Sequence, residues 1–210
     1  LNMTSTHQSG SNDCDPNLIN SIKSYYNLVN HDIIICPGGM STIDIVVNSL
    51  SDITFWVPKY HWGSWNKILK IHNKDIQFFD EFDLSIFRPT RGVVMMCYPS
   101  NPTGWIPDMN ELCDFVKHCS MNNITVVLDL PYYHLFFSPS SISNLFLENV
   151  IVVSSFSKSI GLSGYRIGYI ATLNKNLYRV LHIRSLYKYN SISNIPQYII
   201  NRIHFLQFKF

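Results

Sequence analysis

Gly92-Val93-Val94-Met95-Met96-Cys97 is an unbroken apolar run that ends abruptly in Pro99-Ser100-Asn101-Pro102-Thr103-Gly104. The prolines and glycine of that turn forbid regular structure. Behind it, Asp108 stands three residues before Glu111 in the manner of a capping box, and Leu112, Phe115, Val116 and Cys119 follow at helical spacing. The next apolar run, Ile124-Thr125-Val126-Val127-Leu128, is rich in β-branched residues and closes on Asp129. Strand, turn, helix, strand is the unit from which parallel sheets are built.

The alternation extends in both directions. Upstream, Leu18, Ile19, Ile22, Tyr26 and Val29 keep helical spacing, Asp32 to Cys36 reads as a strand, and Gly38-Gly39 breaks the chain before Ile43, Val46, Val47 and Leu50 resume a helix. Ile53 to Val57 predicts a strand ending at Pro58, with Trp62, Trp65 and Leu69 marking a helix beyond it. Downstream, Val150 to Val153 and Arg166 to Ala171 predict strands, and Leu177, Val180, Leu181 and Arg184 a long helix. The pattern is that of an α/β domain with a largely parallel sheet, without internal repeats or low-complexity linkers.

Composition agrees with one globular domain. Of 210 residues, 46% are hydrophobic and 14% charged, enough apolar matter for a sizeable core. The net charge of +2 is scattered without a basic tract, so electrostatics gives no reason to expect nucleic acid as a partner. No apolar stretch reaches the roughly 18 residues of a membrane span, and the five cysteines form no CxxC pair, which leads to the expectation of a reduced, cytoplasmic protein. Leu1 stands where Met would open a chain, and Arg202 to Phe210 still reads as folded-domain sequence, so a piece of something longer is expected.

In open parallel sheets, ligands bind beyond the carboxyl ends of the strands, so the turns there are where chemistry is sought. Asp129 closes an apolar run, and an ionised carboxylate in that place requires a positive partner. Lys158 follows the next strand in Ser154-Ser155-Phe156-Ser157-Lys158, and a partly desolvated lysine is a usable amine nucleophile. Taken singly, a carboxylate at a strand end is more often a turn former and a loop lysine is usually solvated. Gly38-Gly39-Met40-Ser41 opens a helix after a strand, where bare N–H groups and the positive helix end favour an anion. Ser155 and Ser157 add hydroxyl donors, and Arg166 offers a forked guanidinium suited to phosphate. Cys113, His118 and Cys119 do not make a metal site, since Cys119 falls on the apolar stripe and a third ligand is missing. Gly161, Gly164 and Gly168 do not form a dinucleotide fingerprint, and His31, His61, His72 and His134 show no partner pattern.

Ser155 to Tyr169, with Lys158 eight residues before Arg166, resembles the lysine segment of the class I and II aminotransferases of the aspartate aminotransferase fold. Asn101-Pro102-Thr103-Gly104 matches the Asn-Pro-x-Gly turn of that family and Asp129-Leu130-Pro131-Tyr132 its Asp-x-x-Tyr, in the same chain order. The resemblance runs from about Asn17 to about Arg184. It implies a three-layer α/β/α fold with a mostly parallel mixed sheet and pyridoxal 5'-phosphate as cofactor. The implied reaction moves an amino group between an amino acid and a 2-oxo acid. Lys158 would carry the cofactor as a Schiff base and shuttle the proton, Asp129 would pair with the pyridine nitrogen, and Asn101 and Tyr132 would meet the ring hydroxyl. Gly39, Met40, Ser155, Ser157 and Arg166 would hold the phosphate, and Tyr60 of Pro58-Lys59-Tyr60 would stack on the ring, with Trp62 and Trp65 assigned to the core.

The expected division is 1–30 as a shortened N-terminal segment and first helix, 31–185 as the cofactor-binding large domain, and 186–210 as the start of a connection to a small domain. Family members continue into that small domain, whose arginine grips the substrate carboxylate; nothing up to Phe210 matches it, nor does any residue near Thr6 and His7 match the aromatic that reaches a neighbouring subunit's phosphate. A homodimer is expected of the complete protein. Relatives of the same fold that act as lyases, decarboxylases or synthases, and a truncated non-catalytic paralogue, are the alternatives.

Overall fold

A computed structural model of the chain describes residues 14–51, 53–135, 142, 144–158 and 162–207. Residues 1–13, with Thr6 and His7, and Ser159, Ile160 and Gly161 of the lysine segment lie outside the described residues, as does the side chain of His134.

Seven strands form one sheet: β1 (Asp32–Cys36), β2 (Thr54–Pro58), β3 (Asp75–Phe79), β4 (Val93–Cys97), β5 (Thr125–Asp129), β6 (Val150–Ser155) and β7 (Gly168–Thr172). Their order is β1-β7-β6-β5-β4-β2-β3. Pairings from β3 through β6 are parallel, whereas β7 is antiparallel to both β6 and β1. Among the described residues six α-helices cover it: α1 (Pro16–Tyr25), α2 (Gly39–Ser49), α3 (Ser64–Ile71), α4 (Met109–Met121), α5 (Lys175–Tyr189) and α6 (Asn194–Gln207).

Apart from the edge strand β3, the sheet is buried on both faces, and this accounts for its continuous apolar strands. Val94 and Met96, Val126 and Leu128, and Val150 and Val152 pack with Leu18, Ile22, Leu112, Phe115 and Ile200 of α1, α4 and α6. Their neighbours Val93 and Met95, Val127, and Ile151 and Val153 point the other way, onto Ile43, Val46, Val47, Trp65, Leu69 and Leu181 of α2, α3 and α5. The alternation sets three layers, each buried Val, Ile or Leu contributing about 1.5–3 kcal/mol by leaving water. Asp108 caps α4 as expected, its carboxylate accepting from the N–H groups of Asn110 at 2.9 Å and Glu111 at 3.1 Å.

Several element ends differ from expectation. The first helix stops at Tyr25, Asn27 follows at φ +53°, and Val29 is exposed. Strand β2 starts at Thr54, one residue later than the apolar run, and Ile53 is exposed. Trp62 precedes α3 instead of belonging to it. Strand β7 begins at Gly168, because Arg166 has φ +54°, outside the extended region. Strand β3, on the sheet edge with exposed Asp75, Gln77 and Phe78, and helix α6 were not anticipated. Helix α6 packs beside α1, where Ser21 Oγ donates to Asn201 Oδ1 at 2.6 Å and Asp15 N to Gln197 Oε1 at 2.8 Å.

The topology puts the informative turns on one edge. Strands β4, β5 and β6 are parallel and end at Cys97, Asp129 and Ser155; Cys97 pairs with Asp129, and Gly168 pairs with both Ser155 and Cys36. The Asn101 turn, Asp129, Lys158, Arg166 and the Gly38-Gly39 turn therefore all lie beyond the same ends of the sheet.

Candidate active site

A cavity of about 310 Å³ opens on that edge, lined by residues that include Gly39, Met40, Asn101, Asp129, Tyr132, Ser155, Ser157, Lys158 and Arg166. These are all of the residues anticipated for the site except Tyr60. The Tyr60 side chain is 59% exposed and does not line the cavity. Trp62, two residues on, lines it instead, half-buried between the end of β2 and the start of α3.

Asp129 is the buried group of the cavity. It sits at the end of β5 with 7% of its surface exposed, and no ion pair reaches it among the described residues. Burial pushes its carboxyl up to about 7, and the indole N–H of Trp65 pulls the other way without offsetting it. That indole nitrogen is itself buried and makes no hydrogen bond of ordinary geometry. Trp65, assigned from sequence to the core alone, is thus both a core residue and a polar neighbour of Asp129.

The Asn101 and Asp129 turns meet at the cavity, where Asn101 Nδ2 donates to Tyr132 Oη at 3.1 Å. Burial raises the Tyr132 phenol above its ordinary value, Cys97 and Asp129 add to the rise, and the Asn101 amide lowers it. The Asn101 turn is held from outside the cavity by Glu81, a buried carboxylate just past β3. Ser100 Oγ donates to it at 2.8 and 3.0 Å and Thr103 Oγ1 at 2.8 Å. Nothing in Asp80-Glu81-Phe82-Asp83 marks Glu81 as different from its acidic neighbours; only the tertiary contact does.

The anion side is built from glycine and arginine. Gly38 is the N-cap of α2 at φ +88°, and no side chain caps that helix end. A Cβ on Gly38 would come within 2.3 Å of Arg166 Nη2, so the guanidinium lies directly against a bare backbone. Arg166 Nη1 donates to Ser163 O at 3.1 Å and to Ser157 Oγ at 3.4 Å. Gly168 lets the Gly38 turn settle onto β7, since a Cβ there would lie 2.9 Å from Gly38 C. Arg166 is exposed.

Lys158 ends a single 3-10 turn, Phe156–Lys158, that carries the chain out of β6. Its side chain lines the cavity and is exposed, where partial desolvation was expected.

Three of the histidines, His31, His61 and His72, have structural neighbours. His72 Nε2 bonds Asp44 Oδ1 at 2.9 Å, Lys188 contacts the other Asp44 oxygen, and His61 Nδ1 lies 2.6 Å from Pro58 O. His31 is buried edge-on to Phe146. Among the described residues no cluster of three metal-ligating side chains occurs, and no helix is long and apolar enough to cross a membrane.

The sequence profile of the family Aminotransferase class I and II matches residues 1–201. The chain belongs to that family. Histidinol-phosphate aminotransferase of Thermoanaerobacter sp. (strain X514) is 33% identical over 125 residues, 59% of this chain and 34% of that protein. The protein of the same name from Buchnera aphidicola subsp. Schizaphis graminum is 27% identical over 186 residues, 81% of this chain and 51% of its own length. This member of the family thus spans 34% and 51% of the lengths of these two relatives. The substrate-bound structure of BacF from Bacillus subtilis is 17% identical and superposes with a TM-score of 0.81 over 97% of this chain and 59% of that one, which shows the shared fold.

Proposed function

We propose that this chain is the cofactor-binding part of a pyridoxal-phosphate-dependent aminotransferase, which moves an amino group between an amino acid and a 2-oxo acid. The observation that carries the reading is the placement of Lys158 and Asp129 on one cavity together with the Arg166–Gly38 cradle.

The residues fit the cofactor on physical grounds. A buried carboxyl held near 7 without a cationic neighbour suits a protonated ring nitrogen, which would return Asp129 to its ionised form. An uncapped helix end, two serine hydroxyls and a guanidinium suit a phosphate dianion. Bound there, pyridoxal phosphate supplies an electron-withdrawing ring that makes a substrate α-carbon proton removable.

The protein's own part follows from its side chains. Asp129 would hold the proton on the ring nitrogen. Asn101 Nδ2 and Tyr132 Oη would hold the ring hydroxyl. Gly39, Met40, Ser155, Ser157 and Arg166 hold the phosphate, and Trp62 replaces Tyr60 as the aromatic that can cover the ring. Lys158 Nζ is the amine that would hold the cofactor and a base that could take a substrate α-carbon proton. We assign residues 31–185 to the cofactor-binding domain, with 1–30 leading into it and 186–210 leading out. The same reading makes the complete protein a cytoplasmic homodimer.

The test is a titration of the purified chain with pyridoxal phosphate, followed by addition of amino acids. Absorbance of the bound cofactor that responds to an amino acid, with the matching 2-oxo acid formed, supports the reading; a chain that binds the cofactor and never responds to any amino acid sinks it.

A further inference from the structure

Glu81 is 3% exposed, and burying a carboxylate is costly unless its oxygens are satisfied. Here they are satisfied by one short loop. Ser100 Oγ reaches Oε1 at 3.0 Å and Oε2 at 2.8 Å, and Thr103 Oγ1 reaches Oε1 at 2.8 Å. The two donors flank Asn101, one before it and one two residues after. The loop is also closed on itself, Gly104 N donating to Ser100 O at 2.9 Å and Ser100 N to Trp105 O at 2.9 Å. The carboxylate thus grips both sides of the residue whose amide reaches Tyr132 Oη.

We propose that Glu81 is a positioning residue for the site: as an acceptor-only carboxylate it clamps the Ser100–Thr103 turn and thereby aims the Asn101 amide at the Tyr132 hydroxyl. The inference concerns a contact inside this chain, and its importance for catalysis rests on the function proposed above. A carboxylate is the one side chain that can accept from both hydroxyls and donate to neither. A glutamine of the same shape presents an N–H₂ where one oxygen was, so one hydroxyl must turn round to accept instead of donate, and the charge that strengthens both bonds is lost. Burial raises the Glu81 carboxyl, while the Thr103 and Ser100 hydroxyls lower it, consistent with hydroxyls that favour the ionised form.

The test uses the cofactor-free chain labelled with ¹³Cζ-tyrosine, the Tyr132 signal being identified by its loss in Tyr132→Phe. Asn101→Ala removes the donor to the phenol and moves the Tyr132 signal. The clamp predicts that Glu81→Gln moves it in the same direction, and that adding Glu81→Gln to Asn101→Ala moves it no further. A Tyr132 signal unchanged in Glu81→Gln overturns the proposal, as does an equal further shift in the double variant. If Glu81→Gln does not fold, Ser100→Ala and Thr103→Ala remove the donors one at a time and are read in the same way. A parallel titration with pyridoxal phosphate separates the two claims: wild-type chain that binds none refutes the cofactor reading and leaves the Tyr132 result to decide the clamp. Where it binds, Glu81→Gln should weaken affinity about tenfold in the wild-type background and less than twofold beside Asn101→Ala.

Discussion

The guanidinium of Arg166 occupies the space that a side chain on Gly38 would fill, with Nη2 only 2.3 Å from where a Cβ would stand. Gly38 is therefore required twice, for its φ of +88° and for its missing side chain. Gly38→Ala should cost more than about 1 kcal/mol of stability and displace Arg166 from the helix end. Chemical denaturation measures the first, and the affinity for inorganic phosphate, expected to fall severalfold, measures the second.

Asp129 and His31 should give the cofactor-free chain opposed pH dependences. Folding raises Asp129 from 3.8 to about 7, so the folded state binds that proton more tightly and stability falls as pH rises between those values. The drop is up to about 4 kcal/mol at 1.36 kcal/mol per unit. Asp129→Asn removes it, so above pH 7 the variant should be more stable than wild type while losing the ring-nitrogen contact. Urea denaturation from pH 4 to 8 checks this; a variant less stable at pH 7.5 would contradict it.

His31 works in the other direction. Burial, and next the charge of Lys23, lower it from 6.5 to about 4. The neutral ring is favoured in the fold, so its contribution is complete above 6.5 and is lost as pH falls toward 4. Between those values the two groups partly cancel. His31→Phe should expose the Asp129 slope, making stability decline more steeply with rising pH than in wild type.

Trp65→Phe keeps most of the buried volume and removes the indole N–H that favours ionised Asp129. The upper end of the Asp129-linked stability change should move upward from about 7, while its lower end near 3.8, set by the unfolded chain, stays in place. An upper end that does not move would show that the indole acts on Asp129 only through packing.

Much of this arrangement is legible in the sequence because burial on both faces leaves continuous apolar strands. Strands β4, β5 and β6 are visible that way, and so is Asp129 at the end of one of them. What escapes is what depends on direction in space. After Pro58 the chain turns so that Trp62 and not Tyr60 enters the cavity, and residue spacing carries no record of that turn. Edge strand β3 exposes one flank and lacks the periodic pattern of its neighbours. Glu81 looks like any surface acid until Ser100 and Thr103, distant in the chain, come beside it.

Lys158 is the centre of the account, and its linkage to the cofactor can be read directly. The chain is incubated with pyridoxal phosphate, reduced with borohydride, digested and mapped by mass spectrometry. The account predicts one phosphopyridoxyl group, on the peptide containing Lys158, and none in Lys158→Ala. Labelling spread over surface lysines, or unchanged in Lys158→Ala, would contradict it.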